Sequence, residues 1–533
     1  MSWGVGLALL TLISALLATS YVNQTFGLQE RPVQALVWQS APVTSPWPET
    51  RRWTYQDAQE HTAATLQVVE REQEWCETDE QVGLLGKQLA ATNDVDLVWR
   101  NLRTAVTGDD LDAVLTIADA TATARGTELE ALPGFWLVTR TQLRRWGCLS
   151  ETVFAMREAE EEEEESTLGD PADRLNQLLG LRDPALSDAI RRQLRITLWG
   201  GWYTEPDDLG QAATADGPGN VYLVSRTPLP IEKIETISHE LLHVLQDQEL
   251  GWKLHDQFLE PETSDVLTAR RWLIEGDASA NELTRYSSGL RELVASHHWG
   301  PVTGLEIELA RRAYEALSPV ESAATLAPYR DGAESVARIV RVEGQSAVNA
   351  LLHDPPPSTE QLMHTEKLSA DELPLQLRDL DALRDELLPQ TLWQEPVLDR
   401  MGEHWLRTLI ASATRDPERS RAAAAGWGSD QIALWRSLAE PEDSLVTMQF
   451  VFDDADEHDE GAAGLLTWLV AHSDGEARQA EGWPIVGWDG PSGFVRLITR
   501  EPSIWLIADH DEDRANRLAI GLAALDLTDY WDE

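Results

Sequence analysis

The chain has 533 residues, with 91 Asp and Glu against 43 Lys and Arg, giving a formal net charge of −48 and an isoelectric point near 4.5. That charge repels phosphate backbones and anionic lipid, so nucleic acid is not expected as a partner, while the length allows two to four domains with large cores. Lysine occurs only at Lys87, Lys233, Lys253 and Lys367; a carboxylate-rich surface of this kind stays hydrated where concentrated ions screen its self-repulsion, so a salt-rich setting is expected.

Met1 to Ser20 is uncharged and mostly apolar, at a length where a signal sequence and a membrane anchor read alike. Ala18-Thr19-Ser20 offers a small-x-small cleavage site. Either reading carries the remainder across a membrane, so the expected location is extracytoplasmic, secreted or anchored to the membrane by this segment. The alternative is a buried N-terminal helix in a cytoplasmic protein. Residues 26–157 read as a helical N-terminal domain, with apolar residues recurring at three- and four-residue intervals in Ala58 to Val68, Gln81 to Leu97, Leu111 to Ile117 and Leu137 to Trp146. Cys76 and Cys148 are the only cysteines; export would allow one disulfide between them, and two reduced structural cysteines are the alternative. The run of glutamates within Glu158 to Glu165 cannot bury surface, so residues 158–170 are expected to form an exposed acidic linker.

Residues 171–385 form the next expected domain. Leu175 to Leu198 looks helical, and Trp199 to Tyr203 and Asn220 to Ser225 look like two strands joined by a Gly/Asp-rich loop. Pro228 and Pro230 end that region. From Ile231 to Leu250, Ile234, Ile237, Leu241 and Leu245 recur at helical spacing around His239-Glu240-Leu241-Leu242-His243. Residues four apart share a helix face, so His239 and His243 can offer two imidazole nitrogens to one metal ion. Glu240 then stands where a general base reaches an attacking water without ligating the metal.

A zinc site needs a third protein ligand. Gln246 and Glu249 occupy the places where a metzincin would have glycine and a third histidine, which excludes that class. A second helical pattern, Ala269 to Tyr286, carries Glu275-Gly276-Asp277-Ala278, and Glu275 is the preferred ligand, with Glu260, Glu262 and Asp265 as alternatives. Glycine in mid-helix costs about 1 kcal/mol relative to alanine. Gly276 is therefore expected where another backbone approaches closely, as at a crossing with the metal-bearing helix.

HELLHVLQDQ followed by LIEGDAS resembles the gluzincin class of zinc metallopeptidases, and within it an uncharacterised prokaryotic family with a Leu-Gln-Asp-Gln continuation and a later Glu-Gly-Asp-Ala. PPPSTEQLMHTEK (Pro355 to Lys367) and AAAAGWGSD (Ala422 to Asp430) are similar to the same family, so the resemblance covers roughly Leu198 to Asp430. It implies a zincin-like fold, Zn2+ held by His239, His243 and Glu275, Glu240 as base, and a peptide or protein substrate. Glu275 follows His243 by 32 positions, longer than the class usually shows, so an insertion is expected to loop out between the two helices. Zincin folds place an edge strand before the metal helix, where it pairs with extended substrate, and Val221 to Ser225 is positioned for that role.

Asp247, four residues after His243, is a candidate hydrogen-bond acceptor for a ligand imidazole. His364, about two turns into a helix capped by Ser358 or Thr359, is the candidate that stabilises the oxyanion; Tyr329 and Tyr286 are alternatives. Residues 390–533 read as a small α+β domain: helix Glu403 to Ala413, a turn at Gly426-Trp427-Gly428, strand Ser444 to Phe452, helix Ala462 to Ala471, a hairpin about Asp489-Gly490, strand Ser503 to Ala508 and helix Arg514 to Leu525. Its tryptophans are expected in the core. The expected class is therefore α+β, and the expected function is zinc-dependent peptide-bond hydrolysis. The rival is a non-catalytic exported interaction protein that retains a zincin fold.

Overall fold

The computed structural model describes residues 36–47, 56–57, 60, 70–71, 73–92, 100–158, 171–179, 181, 200–204, 218–231, 233–258, 261–281, 325–377, 388, 392–414, 416–440, 443–491 and 493–524. The segment 1–20, residues 159–170 of the acidic run, Glu260 and Tyr286 lie outside them. No helix among the described residues is long and apolar enough to cross a membrane.

The fold is mixed α and β, with the strands in two sheets. In chain order the elements are β1 (Trp38–Pro42), α1 (Glu80–Thr92), β2 (Thr104–Ala105), α2 (Asp109–Arg125), β3 (Gly134–Val138), α3 (Arg140–Glu158), α4 (Pro171–Leu178), β4 (Gly201–Thr204), β5 (Asn220–Val224), α5 (Lys233–Glu249) and α6 (Ser264–Ala280). A π-helical turn, Pro328–Gly332, leads into α7 (Ala333–Glu343), α8 (Gln345–His353), α9 (Thr359–Met363) and α10 (Thr365–Ala370). The remainder is β6 (Val397–Asp399), α11 (Gly402–Ala413), α12 (Pro417–Ala425), β7 (Trp427–Arg436), β8 (Ser444–Phe452), α13 (Ala455–His472), β9 (Arg478–Ala480), β10 (Ile485–Gly490), β11 (Gly493–Arg500), β12 (Ser503–Asp509) and α14 (Glu512–Ala524).

The smaller sheet has the order β2-β3-β5-β4, with β3 and β5 parallel and paired from Gly134↔Asn220 to Val138↔Val224. β4 runs antiparallel to β5 and is the outer strand among the described residues. The edge role expected of Val221 to Ser225 is thus overturned: β5 is an inner strand, and β4 holds the edge. Strand alternation explains β5, because Val221 and Leu223 face α5 and α2 through Ile234, Ile237, Leu241, Val244, Val114 and Ile117, while Tyr222 and Val224 face α1 and α3 through Leu85, Leu89, Leu143 and Trp146. A strand buried on both faces reads as a continuous apolar run.

The larger sheet is antiparallel throughout, in the order β1-β9-β10-β11-β12-β8-β7-β6. One face packs against α4, α11, α12 and α13 and the other against α14. The hairpin closes at Gly490↔Gly493, as expected. The turn expected at Gly426-Trp427-Gly428 is instead the start of β7: Trp427 is fully buried, its indole N–H donates to Asp430 Oδ2 at 2.9 Å, and a register shift before Ser429 absorbs Gly428. Trp435, Trp468 and Trp505 are also core residues.

The expected division into a helical domain (26–157), a catalytic domain (171–385) and a C-terminal domain (390–533) does not describe the packing. β1 joins the larger sheet and β2 and β3 join the smaller one, so the N-terminal segment is neither wholly helical nor separate. α4 buries Leu175 and Leu178 in one cluster with Trp405 and Trp468. Periodicity shows which residues are buried but not which partner buries them. Cys76 and Cys148 form a disulfide, with Cα atoms 5.6 Å apart, tying the segment before α1 to α3.

Candidate metal centre

α5 is buried along most of its length because it lies between the smaller sheet and α6. α6 is capped by Thr263, whose hydroxyl accepts from Val266 N at 3.3 Å. It crosses the π-helical turn at two glycines: a Cβ on Gly276 would lie 2.4 Å from Gly332 C, and one on Gly332 would lie 2.5 Å from Trp272 O. The close approach read from Gly276 is present, but the partner is this turn rather than α5. The turn in its place sets Tyr329 beside His239, with ring centroids 5.8 Å apart. π-helical turns inside helical segments recur at functional sites.

His239, His243 and Glu275 come together although the sequence separates them. His239 Nε2 lies 3.2 Å from His243 Nε2 and 3.2 Å from Glu275 Oε2, and His243 Nε2 lies 3.4 Å from Glu275 Oε2. Three corners of a tetrahedron with zinc-ligand distances of about 2.0–2.1 Å are separated by about 3.3–3.4 Å, so the donor set and its spacing fit zinc. Burial opposes ionisation of Glu275, but the two imidazoles outweigh it and hold the carboxyl well below the usual carboxylate range. Burial also opposes charge on His243, and Glu275 overcomes it and raises that pKa. Two imidazole nitrogens and a carboxylate oxygen thus lie close enough together to share one cation.

The tautomer of His243 follows from its neighbours. Gln246 Nε2 donates to Ile274 O at 2.8 Å and to Asp277 Oδ2 at 2.9 Å, which leaves Gln246 Oε1 as the acceptor 2.8 Å from His243 Nδ1. In the neutral ring the proton of His243 is therefore on Nδ1, and the Nε2 lone pair faces His239 and Glu275. Asp277 is fully buried and also accepts from Asn281, Gln345 and Arg125, the last at 2.6 and 2.8 Å. Arg125 comes from α2, so the N-terminal segment supplies the charge that balances Asp277.

Glu240 is 6% exposed; burial raises its carboxyl, and the positive field of His239 and His243 opposes that rise. The backbone N–H of Tyr203 donates to it. β4 comes this close because Gly201 has no side chain: a Cβ there would lie 3.2 Å from Glu240 Cγ and 3.0 Å from Tyr222 O. Tyr329 is 44% exposed as a residue, but its hydroxyl end enters the site. Desolvation there, with Glu275 and Glu240 beside it, raises the phenol well above its ordinary value.

Other candidates have different work. His364 is not brought to the triad; its Nε2 lies 2.9 Å from Glu403 Oε2, and it caps the junction of α9 and α10, because the helix expected to carry it ends at Met363. Asp265 accepts from Thr359 N and Oγ1 and pairs with Arg400, so it ties α6 to the start of α9, whose N-cap is Ser358. Glu262 is exposed and does not join the donor cluster. Asp247 accepts from Tyr203 Oη at 2.5 Å and Leu254 N at 2.9 Å, anchoring β4 to α5. Glu360, Glu372 and Asp453 also converge, but on the ammonium of Lys367 at 2.5–2.8 Å. Sequence reasoning missed Gln246, Asp277, Arg125 and Tyr203. A glutamine three residues after the second histidine on the same helix face was the one available signal. No family model matches the chain, and no curated protein or solved structure matches it.

Proposed function

We propose that the chain is a zinc-dependent hydrolase of peptide bonds, with His239, His243 and Glu275 as ligands, working outside the cytoplasm in a salt-rich setting. The observation that carries this reading is the triangle of three donor atoms with 3.2–3.4 Å edges, one of whose imidazoles has its tautomer set by Gln246. Zinc at such a centre lowers the pKa of a water and polarises a carbonyl. Glu240, held by Tyr203 N–H, would take a proton from an attacking water and return it to the leaving amine. Tyr329, which keeps its proton through neutral pH, donates a hydrogen bond to the developing oxyanion. The outer edge of β4, beside the metal helix, supports pairing with an extended substrate backbone. A helix pair carrying the ligands beside a sheet with an antiparallel outer strand is consistent with a zincin-like arrangement.

The test is hydrolysis of an unfolded protein substrate in concentrated salt with zinc supplied. Glu240→Gln is expected to lower kcat by about 10²–10⁴-fold. Equal turnover by the variant overturns the proposal.

A further inference from the structure

Resting on the peptidase reading, we propose that Arg407 is a positioning residue for the hydrolysis: from α11 it grips the π-helical turn through Asp331 and so keeps the hydroxyl of Tyr329 at the proposed centre. Tyr329 and Asp331 stand two residues apart on that turn, and side chains so spaced on a helical surface do not face each other. The ring of Tyr329 turns to His239, with centroids 5.8 Å apart, while the carboxylate of Asp331 turns to α11 and accepts from Arg407 Nη2.

α11 is a firm support. Leu406, Leu409 and Ile410, on either side of Arg407, are wholly buried in the core against the larger sheet. His404, three residues before Arg407 and so on the same face, packs on Trp272 of α6 with ring centroids 4.8 Å apart. One face of α11 thus meets both the turn that carries Tyr329 and the helix that carries Glu275. The turn has a first attachment to α6 at the crossing of Gly276 and Gly332. Two glycines meet there through backbone alone, with no side chain to lock the turn against rotation, and Asp331 supplies a second point of attachment. Arg330 also pairs with Asp331, at 2.6 Å, but its side chain is 67% exposed, whereas those of Arg407 and Asp331 are 18% and 14% exposed. Exposed pairs contribute little, so the pair with Arg407 supplies most of the restraint.

The test is a double-mutant cycle on the zinc-loaded full chain in concentrated salt, with Arg407→Met made in the parent and in Tyr329→Phe. Two quantities are read: kcat on an unfolded protein substrate and the affinity of a zinc-directed peptidyl hydroxamate, whose oxygen accepts from the Tyr329 hydroxyl. In the parent, Arg407→Met is expected to lower kcat about 10–10²-fold at nearly constant KM and to weaken the hydroxamate roughly ten-fold. In Tyr329→Phe the same substitution should change neither further. Asp331→Asn, which keeps the shape of the side chain, should give the same pattern and replaces Arg407→Met if that variant does not unfold cooperatively. Parent values in both variants, or equal losses with and without the Tyr329 hydroxyl, overturn the assignment while leaving the metal centre and the hydrolysis intact. A parent that neither cleaves the substrate nor binds the hydroxamate overturns the peptidase reading and this assignment with it.

Discussion

His243 Nδ1 donates to Gln246 Oε1 across 2.8 Å, and the amide that accepts is held by Ile274 O and Asp277 Oδ2 at its other end. The tautomer of one proposed ligand is thus fixed by a chain of contacts that ends on Arg125. Gln246→Leu should leave the fold intact and weaken zinc binding about 10–100-fold, as removal of such partners does elsewhere, measured by competition with a chelator. Unaltered affinity would show that Gln246 does not hold the tautomer.

Arg125 and Asp277 are almost wholly removed from water, at 3% and 0% side-chain exposure. Removing one member of a buried pair leaves an uncompensated charge, so Arg125→Met should cost on the order of 3–5 kcal/mol in denaturant unfolding. A loss below about 1 kcal/mol would contradict the role given to the pair.

Tyr329→Phe deletes only the hydroxyl. The expected result is a kcat lowered about 10²–10³-fold with KM and zinc stoichiometry close to the parent values. Parent kcat in this variant would remove Tyr329 as the oxyanion donor.

Two helical glycines, Gly276 in α6 and Gly83 in the first turn of α1, should respond in opposite directions to alanine. A Cβ on Gly276 would meet Gly332 backbone at 2.4 Å, whereas one on Gly83 in α1 meets nothing within 4 Å. Gly276→Ala should destabilise by about 1–3 kcal/mol through overpacking, and Gly83→Ala should stabilise by about 0.5–1 kcal/mol through helix propensity. Equal effects would deny the crossing.

His404 is buried against Trp272, with ring centroids 4.8 Å apart, and burial, reinforced by Arg407, lowers its pKa to about 3 from an ordinary 6.5. Between those values the unfolded chain binds more protons than the folded one, so stability is full above 6.5 and is lost as pH falls toward about 3. His404→Phe should flatten that part of the stability profile relative to the parent. Parallel profiles would contradict the assignment.

Much of the site was legible because its chemistry is written locally. His239, Glu240 and His243 lie within one turn of a helix whose apolar spacing is plain, and Glu275 lies beside a glycine that only close packing explains. His364 was misplaced for a local reason as well: α9 stops at Met363, and the imidazole turns to Glu403 rather than continuing along a helix face. Arg125 and Tyr203 were invisible because each reaches the site through tertiary packing. The sheets followed the same division. β8, β10, β11 and β12 were readable from alternation and turn residues, whereas the placement of β1 and β3 depends on partners far along the chain.

The most direct test of the central claim is zinc per chain, by elemental analysis of the parent and of Glu275→Ala purified in concentrated salt. About one zinc per parent chain and far less in the variant is the predicted result. A folded parent that takes up no zinc, or a variant that keeps the full complement, would contradict the three-ligand centre.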